Sequence, residues 1–528
     1  MKKLIITLSI FALFTTGLSS CKKELEEKFN NPEKSSEANI PGFFTAMLNN
    51  NRIRPSYWNV RTFLLVQPAV YSQTAFFSNG SAAYQQSESY TQQYWEDFYA
   101  PSGNGSGVMA LYRAMQKVYT DAPEGEKAAQ ELFMQAGKVV LIEQASKMVD
   151  LWGDIPYSEA GSLLSSNIIQ NPKFDGQAAL YASFIADLEA AATYFSTATT
   201  NASFAKYDIL LSGNVDRWRR YTNSLRLRLL MRTSNVNAAA AQTAVMTMLN
   251  NATQYPLIDG AGSGTYAPAT TDILLRPLTT STDNLNSALT ELPSHYAPDY
   301  MLNTLMLPTN DPRIPVMFDK FGRTVGGAFV PNPTFRAMPI TFTAGQQESD
   351  FASYAILDSA TFVQNPALPG IVITAPEVNF LKAEAFERWG GDAATAYATA
   401  VQQSITFYYY LNNLNSTGLV KLPAPEAAVV TAFMAGPVAY TGTAAQKLAK
   451  IGNQKWLHLG FLQSTEAWSE YRRTGYPNLT FPAATLSGYQ TPPNRLVYTT
   501  SEKTRNSTNY QAVQGQDTRT TKIFWDVN

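Results

Sequence analysis

One cysteine in 528 residues decides how this chain can be held together. With no second thiol to pair with Cys21, no disulfide forms within the chain. The fold must therefore rest on burial, and a hydrophobic content of 45% over this length can supply it. The place of the cysteine matters as much as its solitude. Met1-Lys2-Lys3 precedes an uncharged, mostly apolar run from Leu4, and Leu18-Ser19-Ser20-Cys21 closes it. A positive start, an apolar stretch and a small-residue junction follow the order of a secretory signal. The run is shorter than the roughly 20 residues that cross a bilayer, so a spanning helix is the weaker reading.

The Leu-Ser-Ser-Cys junction resembles the bacterial lipobox, in which the thiol is lipidated and the cysteine becomes the first mature residue. The alternative is an ordinary signal peptide with a chance cysteine. Residues 1–20 then read as a lipoprotein signal peptide. Residues 21–36, charged and polar with no apolar period, read as a flexible tether from lipidated Cys21. That leaves 37–528 for a single helical domain. The formal net charge is −1, with no basic excess to condense on a phosphate backbone, which argues against nucleic acid as a partner. Only 15% of residues are charged while Asn, Gln, Ser, Thr and Tyr abound, so the surface offers hydrogen-bonding groups and aromatic faces more than ions.

Apolar side chains recur at helical spacing through much of the chain. Asn39-Ile40-Pro41 opens a helix towards Leu48, with Pro41 suited to its first turn. Helices near 107–120 and 126–149 follow, the second stopping before Pro156. Ala178–Phe195 and Asp216–Arg232 are two more. In the latter, Trp218, Tyr221, Leu225, Leu229 and Leu230 point inward. Arg219, Arg226, Arg228 and Arg232 lie mostly elsewhere around that helix, with stems able to pack on neighbouring surfaces. Pro376 begins a helix that Gly390-Gly391 ends, and Asp392 can cap its partner, Ala393–Leu411. Helices joined so closely are antiparallel neighbours, and Ala383, Ala385, Ala396 and Ala400 let their backbones approach. This pair resembles one tetratricopeptide unit. The fold class expected is mainly α: tetratricopeptide-like helix pairs forming a scaffold, with long irregular loops and a few short β-strands. A last helical region spans about 443–473, and 478–528 reads as irregular.

Two stretches break the period. Residues 66–92 read as loop, with Tyr71, Phe76, Phe77, Tyr84 and Tyr90 spaced by Ser, Gln, Asn and Gly. Across a loop-rich insertion of about 253–372, Gly, Pro, Thr and Asn cluster, and Pro339-Ile340-Thr341-Phe342-Thr343 is the clearest β-like run. Such long irregular segments are uncommon in a compact body unless they serve a function. Aromatic rings stack on the apolar faces of sugars while Asn, Gln, Arg and Asp hydrogen-bond hydroxyls. These loops therefore suit neutral oligosaccharides or peptides. The candidate ligand-binding residues are Tyr71, Phe76, Phe77, Tyr84, His295 and Tyr296; the competing reading of each ring is core.

Motifs of catalysis were sought without success. The chain holds no Gly-x-Ser-x-Gly, no phosphate-binding or dinucleotide-binding glycine loop, no His-x-x-x-His pair and no calcium-binding loop. No cofactor or metal is expected. His458, beside Trp456 and Leu459 in a predicted helix, reads as structural. A glycoside hydrolase hidden among the 41 acids is the alternative from another class, but no carboxylate pair stands out. The chain reads as a binder, not an enzyme.

Ordered motifs along most of the chain carry a family resemblance. They are Trp152-Gly153-Asp154-Ile155-Pro156-Tyr157-Ser158-Glu159-Ala160, then the run from Asp216 to Arg228 and Asn310-Asp311-Pro312-Arg313. Later come Glu377 to Ala385, Gln454-Lys455-Trp456-Leu457, the run from Glu466 to Pro477, and Phe524-Trp525-Asp526. In this order they resemble the SusD/RagB family of outer-membrane lipoproteins from Bacteroidetes, in its second SusD-like subgroup. The resemblance implies a scaffold of four tetratricopeptide-like helix pairs, anchored at the outer membrane and facing outward. It further implies a SusC-like TonB-dependent transporter as partner, oligosaccharide or in some members peptide as ligand, and no enzymatic activity. No family binding residue carries over by motif: Trp152, Arg472, Arg473 and Tyr476 read as folding residues. The variable ligand loops correspond to about 66–95 and 270–345. Surface-exported members place acids close behind the cysteine, whereas here Lys22-Lys23 precede Glu24, Glu26 and Glu27.

Overall fold

The computed structural model describes residues 39–77, 80–101, 107–166, 168–261, 265–277, 285–291 and 295–527. Cys21, and the signal peptide (1–20) and tether (21–36) expected around it, lie outside them. Helix α1 (Ile40–Leu48) starts as its sequence dictates: Asn39 Oδ1 accepts the Gly42 amide at 2.7 Å, and Pro41 sits in the first turn. Helices α2 (Glu88–Tyr99), α3 (Val108–Asp121) and α4 (Glu124–Trp152) follow, then α5 (Gln177–Phe195), α6 (Val215–Arg232) and α7 (Ala238–Asn250). After a long irregular stretch come α8 (Ala375–Trp389), α9 (Ala393–Leu414), α10 (Ala427–Ala435), α11 (Ala444–Leu459) and α12 (Ser464–Thr474). Among the described residues no helix is long and apolar enough to cross a membrane.

The architecture is the mainly α scaffold of helix pairs that the periodicity predicts. α3 packs on α4, α5 on α6, α8 on α9 and α11 on α12, and the pairs are joined through α4 on α5, α6 on α8 and α8 on α11. The α8–α9 contact shows why. Ala383, Ala385, Ala396 and Ala400 are all buried, so small side chains set a close helix spacing. Between the two helices Gly390 and Gly391 take φ of +95° and +141°, and a Cβ at Gly391 would lie 2.2 Å from the Phe386 ring. Asp392 then caps α9, accepting the Thr395 amide at 3.0 Å.

Charged motif residues join the pairs from inside. Arg228 donates to Glu377 at 2.6 Å, Arg232 to Glu466 at 2.5 Å, and Arg473 grips Glu384 through both nitrogens at 2.7 and 2.6 Å. Lys455 sits between Glu384 and Glu470. All are buried, and the charges balance across α6, α8, α11 and α12. Sequence alone placed the arginines of α6 mostly off the inward face. The structure corrects this for Arg228 and Arg232, which meet carboxylates of other helices in the interior; Arg226 is buried too, but its partner Glu189 is half exposed. Arg472 lies 3.9 Å over Trp468 and 4.9 Å from Trp525, while Trp525 Nε1 donates to Asp150 at 2.9 Å. The terminal motif is thus folded back onto the end of α4.

One expectation is refined and one fails. The stretch 66–92 is interrupted by a short helix (Pro68–Ser72) and by the start of α2, and its remaining described residues are turn and irregular. The irregular tail lies across it: Gln73 Nε2 donates to Thr480 O at 2.7 Å, Gln86 Nε2 to Val497 O at 3.0 Å, and Leu486 N to Ser81 O at 2.9 Å. Residues 339–343 form no strand. Phe342 N bonds Pro339 O at 3.1 Å in a turn, and Thr343 caps the helix Ala344–Asp350 with Gln346 in a reciprocal box. The strands lie elsewhere. β1 (Ile273–Leu275) and β4 (Gly370–Ile373) pair antiparallel and clamp the base of the irregular stretch, from which the hairpin of β2 (Gly322–Val325) and β3 (Ala328–Pro331) projects.

Candidate ligand-binding edge

The exposed aromatic surface is built from the β2–β3 hairpin outward. Gly326 and Gly327 take φ of +59° and +84°, the paired positive angles of a two-residue type I′ turn. The register then sets Thr324 opposite Phe329 and Arg323 opposite Val330. Neither face of this ribbon is covered: Phe329 is 59% exposed and Val325 62%. The Phe321 ring lies 6.4 Å from Phe329 and 6.1 Å from Phe351, which is 47% exposed. Beside the rings, Arg323 donates to Asp350 at 2.8 Å and to Ser353 Oγ at 3.0 Å. Arg336 comes within 3.8 Å of the same carboxylate and lies 4.7 Å over the Tyr354 ring. Both arginines are about half exposed, where an ion pair contributes little stability and spare donors face water.

A second aromatic group stands at Trp58, 47% exposed, while Trp95, Trp152, Trp218, Trp456, Trp468 and Trp525 are fully buried. Tyr57 meets it edge to face at 5.3 Å. The Tyr57 hydroxyl donates to Glu291 at 2.6 Å, and Arg61 pairs with the same carboxylate at 3.1 Å. That hydrogen bond, more than burial, raises the Tyr57 hydroxyl above its ordinary pKa. Tyr296 bridges to Ile356, and its ring belongs to a small separate core with Phe76, Met338 and Tyr354 beneath the hairpin side.

Most rings nominated from sequence lie in the core, not at the edge. Tyr71 is fully buried, 5.0 Å from Trp468; Phe76 packs on Tyr296 at 5.8 Å; Phe77 packs on Tyr84 at 5.9 Å. Tyr84 is fully buried and donates to Pro482 O at 2.7 Å. Tyr296 is 6% exposed, and burial raises its hydroxyl pKa to about 12. These expectations are corrected: the tail and the small core cover the ring faces a ligand would need. His295 alone of that set is half-buried, 4.4 Å from the Tyr296 ring. His458 is buried between Thr374 and Ser404 hydroxyls at 2.7 and 3.1 Å, a structural position.

Phe329 and Phe351 were missed, although one signal was present. Gly-Gly between Val325 and Ala328, with Phe329 and Val330 beyond, has the pattern of a hairpin turn. For Trp58 no local signal exists. Chemically the edge offers flat apolar faces flanked by guanidinium, carboxylate and hydroxyl groups, which suits stacking plus hydrogen bonding. Among the described residues no group of His, Cys, Asp and Glu is arranged to hold a metal ion.

A family model for SusD-like proteins, described as starch-binding and associating with the outer membrane, matches residues 32–499. The chain is similar in structure to a chitin-binding protein, with a TM-score of 0.72 at 23% identity, covering 93% of this chain and 100% of that one. A chitin-binding SusD homologue from Flavobacterium johnsoniae aligns with a TM-score of 0.66 at 22% identity, over 93% and 99% of the two chains. A SusD homologue from Bacteroides vulgatus gives 0.67 at 20% identity, over 92% and 97%. A search among curated proteins finds no match.

Proposed function

The chain belongs to the SusD-like family of starch-binding proteins that associate with the outer membrane, and from that premise we propose that it captures oligosaccharides at its aromatic edge. The observation that carries the reading is the pair of exposed rings Phe329 and Phe351 about half-buried Phe321, beside Arg323, Asp350 and Arg336. Structural relatives described as chitin-binding support a glycan as the ligand class. In this reading Cys21 carries the lipid, residues 22–36 give slack, and the body faces outward. Captured sugar passes to a SusC-like TonB-dependent transporter, with no chemistry done on it.

The test is calorimetry with chito- and malto-oligosaccharides. Phe329→Ala with Phe351→Ala should weaken binding by about 10- to 100-fold, the equivalent of about 1.5–3 kcal/mol of stacking. The melting temperature should barely move, because both rings are exposed. Unchanged affinity together with unchanged stoichiometry in that double variant would remove the edge from the proposal.

A further inference from the structure

A second cleft, built from none of the edge residues, lies where the α8–α9 pair meets the segment after α7. It encloses about 580 Å³ and adjoins another hollow of about 370 Å³ with which it shares Asp259, Ala261 and Lys382. Its long wall is α9, a helix of 22 residues without one charged side chain. Thr395, Thr399, Gln402 and Thr406 line the cleft from that helix. Steps of four, three and four residues put them on one face, along about 16 Å of helix. A water-facing helix stripe ordinarily carries ions; this one carries only hydroxyls and an amide.

Charge in the rest of the cleft is confined to one ion pair and to Asp392, exposed at one end where its carboxylate accepts the Thr395 amide at 3.0 Å. Lys382 and Asp259 satisfy each other at 2.5 Å. Asn379 donates to Asp259 O and to Gln403 Oε1, both at 2.8 Å, and Gln403 Nε2 donates to Asp259 O at 2.9 Å. The Tyr266 and Phe386 rings add apolar faces to the lining. A ligand along the α9 stripe meets neutral hydrogen-bonding groups and two rings, with the Asp392 carboxylate at one end. An extended peptide gains affinity by pairing its main chain with a sheet edge, and no residue lining this cleft belongs to a strand.

We infer that the α8–α9 cleft is a second, independent binding site for a neutral oligosaccharide, lying along the Thr395–Thr399–Gln402–Thr406 stripe. Its length fits about three sugar rings along the helix. The ligand class rests on the saccharide reading above; the site itself rests on the cleft.

Chitohexaose and maltoheptaose are titrated calorimetrically into the wild type, Gln402→Ala/Thr406→Ala, Phe329→Ala/Phe351→Ala and the combined variant. All four positions are exposed, so melting temperatures should agree. The stoichiometry for the sugar that binds should halve in each double variant and vanish in the combined one. If the edge variant loses all binding and the cleft variant loses none, the second site is overturned while the proposed function stands. If the edge variant keeps all binding and the cleft variant loses it, the edge reading fails and the cleft remains. No heat from either sugar with the wild type overturns both. Binding of an uncharged peptide that the cleft variant loses and neither sugar displaces overturns the ligand class.

Discussion

Tyr71 and Tyr84 are buried equally, yet their hydroxyls meet different fates. Tyr84 donates to Pro482 O, whereas Tyr71 Oη is buried with no hydrogen-bond partner among the described residues. Tyr84→Phe should therefore lower the unfolding free energy by about 0.5–1.5 kcal/mol, the net worth of the part-buried hydrogen bond it loses. Tyr71→Phe should leave it unchanged or raise it, and urea unfolding of both variants checks the contrast. His458 gives a pH signature. Burial first, then the nearby Arg313 charge, lower its pKa from 6.5 to about 3, so it stays neutral in the fold. The unfolded chain takes up that proton first as pH falls, so the contribution is full above about 6.5 and is lost towards about 3. Between pH 7 and 5 this costs about 2 kcal/mol. Stability of His458→Gln should fall less over that interval than that of the wild type, as thermal melts at the two pH values would show. A buried histidine was legible from its apolar neighbours. The fate of each tyrosine hydroxyl was not, because it depends on a backbone carbonyl hundreds of residues away.

Helices and their junctions were legible because periodicity is local. Six or seven apolar positions at the right spacing define a face, and Gly390-Gly391-Asp392 supplies both the exit and the next cap. The helix partners also follow from small residues. Ala400→Leu should force α8 from α9 and cost about 1–3 kcal/mol, whereas Gln402→Leu on the exposed side should not; chemical denaturation separates them. Charge placement on an element was less legible. Burial alone would raise the Glu470 carboxyl pKa, but Arg473, Lys455 and Arg232 outweigh it and hold it well below the usual range. Glu470→Gln leaves those cations short of an anion in the interior and should destabilise by about 3–5 kcal/mol, measured the same way. A helical wheel of α12 shows Glu470 beside Arg473 but not the charges from other helices, Lys455, Glu384 and Arg232, that complete the cluster.

At the scale of the molecule the C-terminal tail decides what the first hundred residues expose. Trp152 Nε1 donates to Val497 O at 3.1 Å, and Gln86 and Tyr84 also end on tail carbonyls. A chain ended after Pro477 should expose Tyr84 and neighbouring rings, bind a hydrophobic dye and melt without cooperativity. Retention of the wild-type melting curve would show that the tail is dispensable. By itself the sequence determined the helical scaffold, the helix junctions, the single thiol behind an apolar run and the absence of local catalytic motifs, all features written within a few turns of chain. Only the tertiary structure decided which aromatics face water. Tyr71, Phe76, Phe77 and Tyr84 sit in a stretch as polar as any exposed loop and are covered, while Trp58, Phe329 and Phe351 are left open. Exposure is settled by what packs on top, and here the covering segment lies about 400 residues away, beyond the reach of any local pattern.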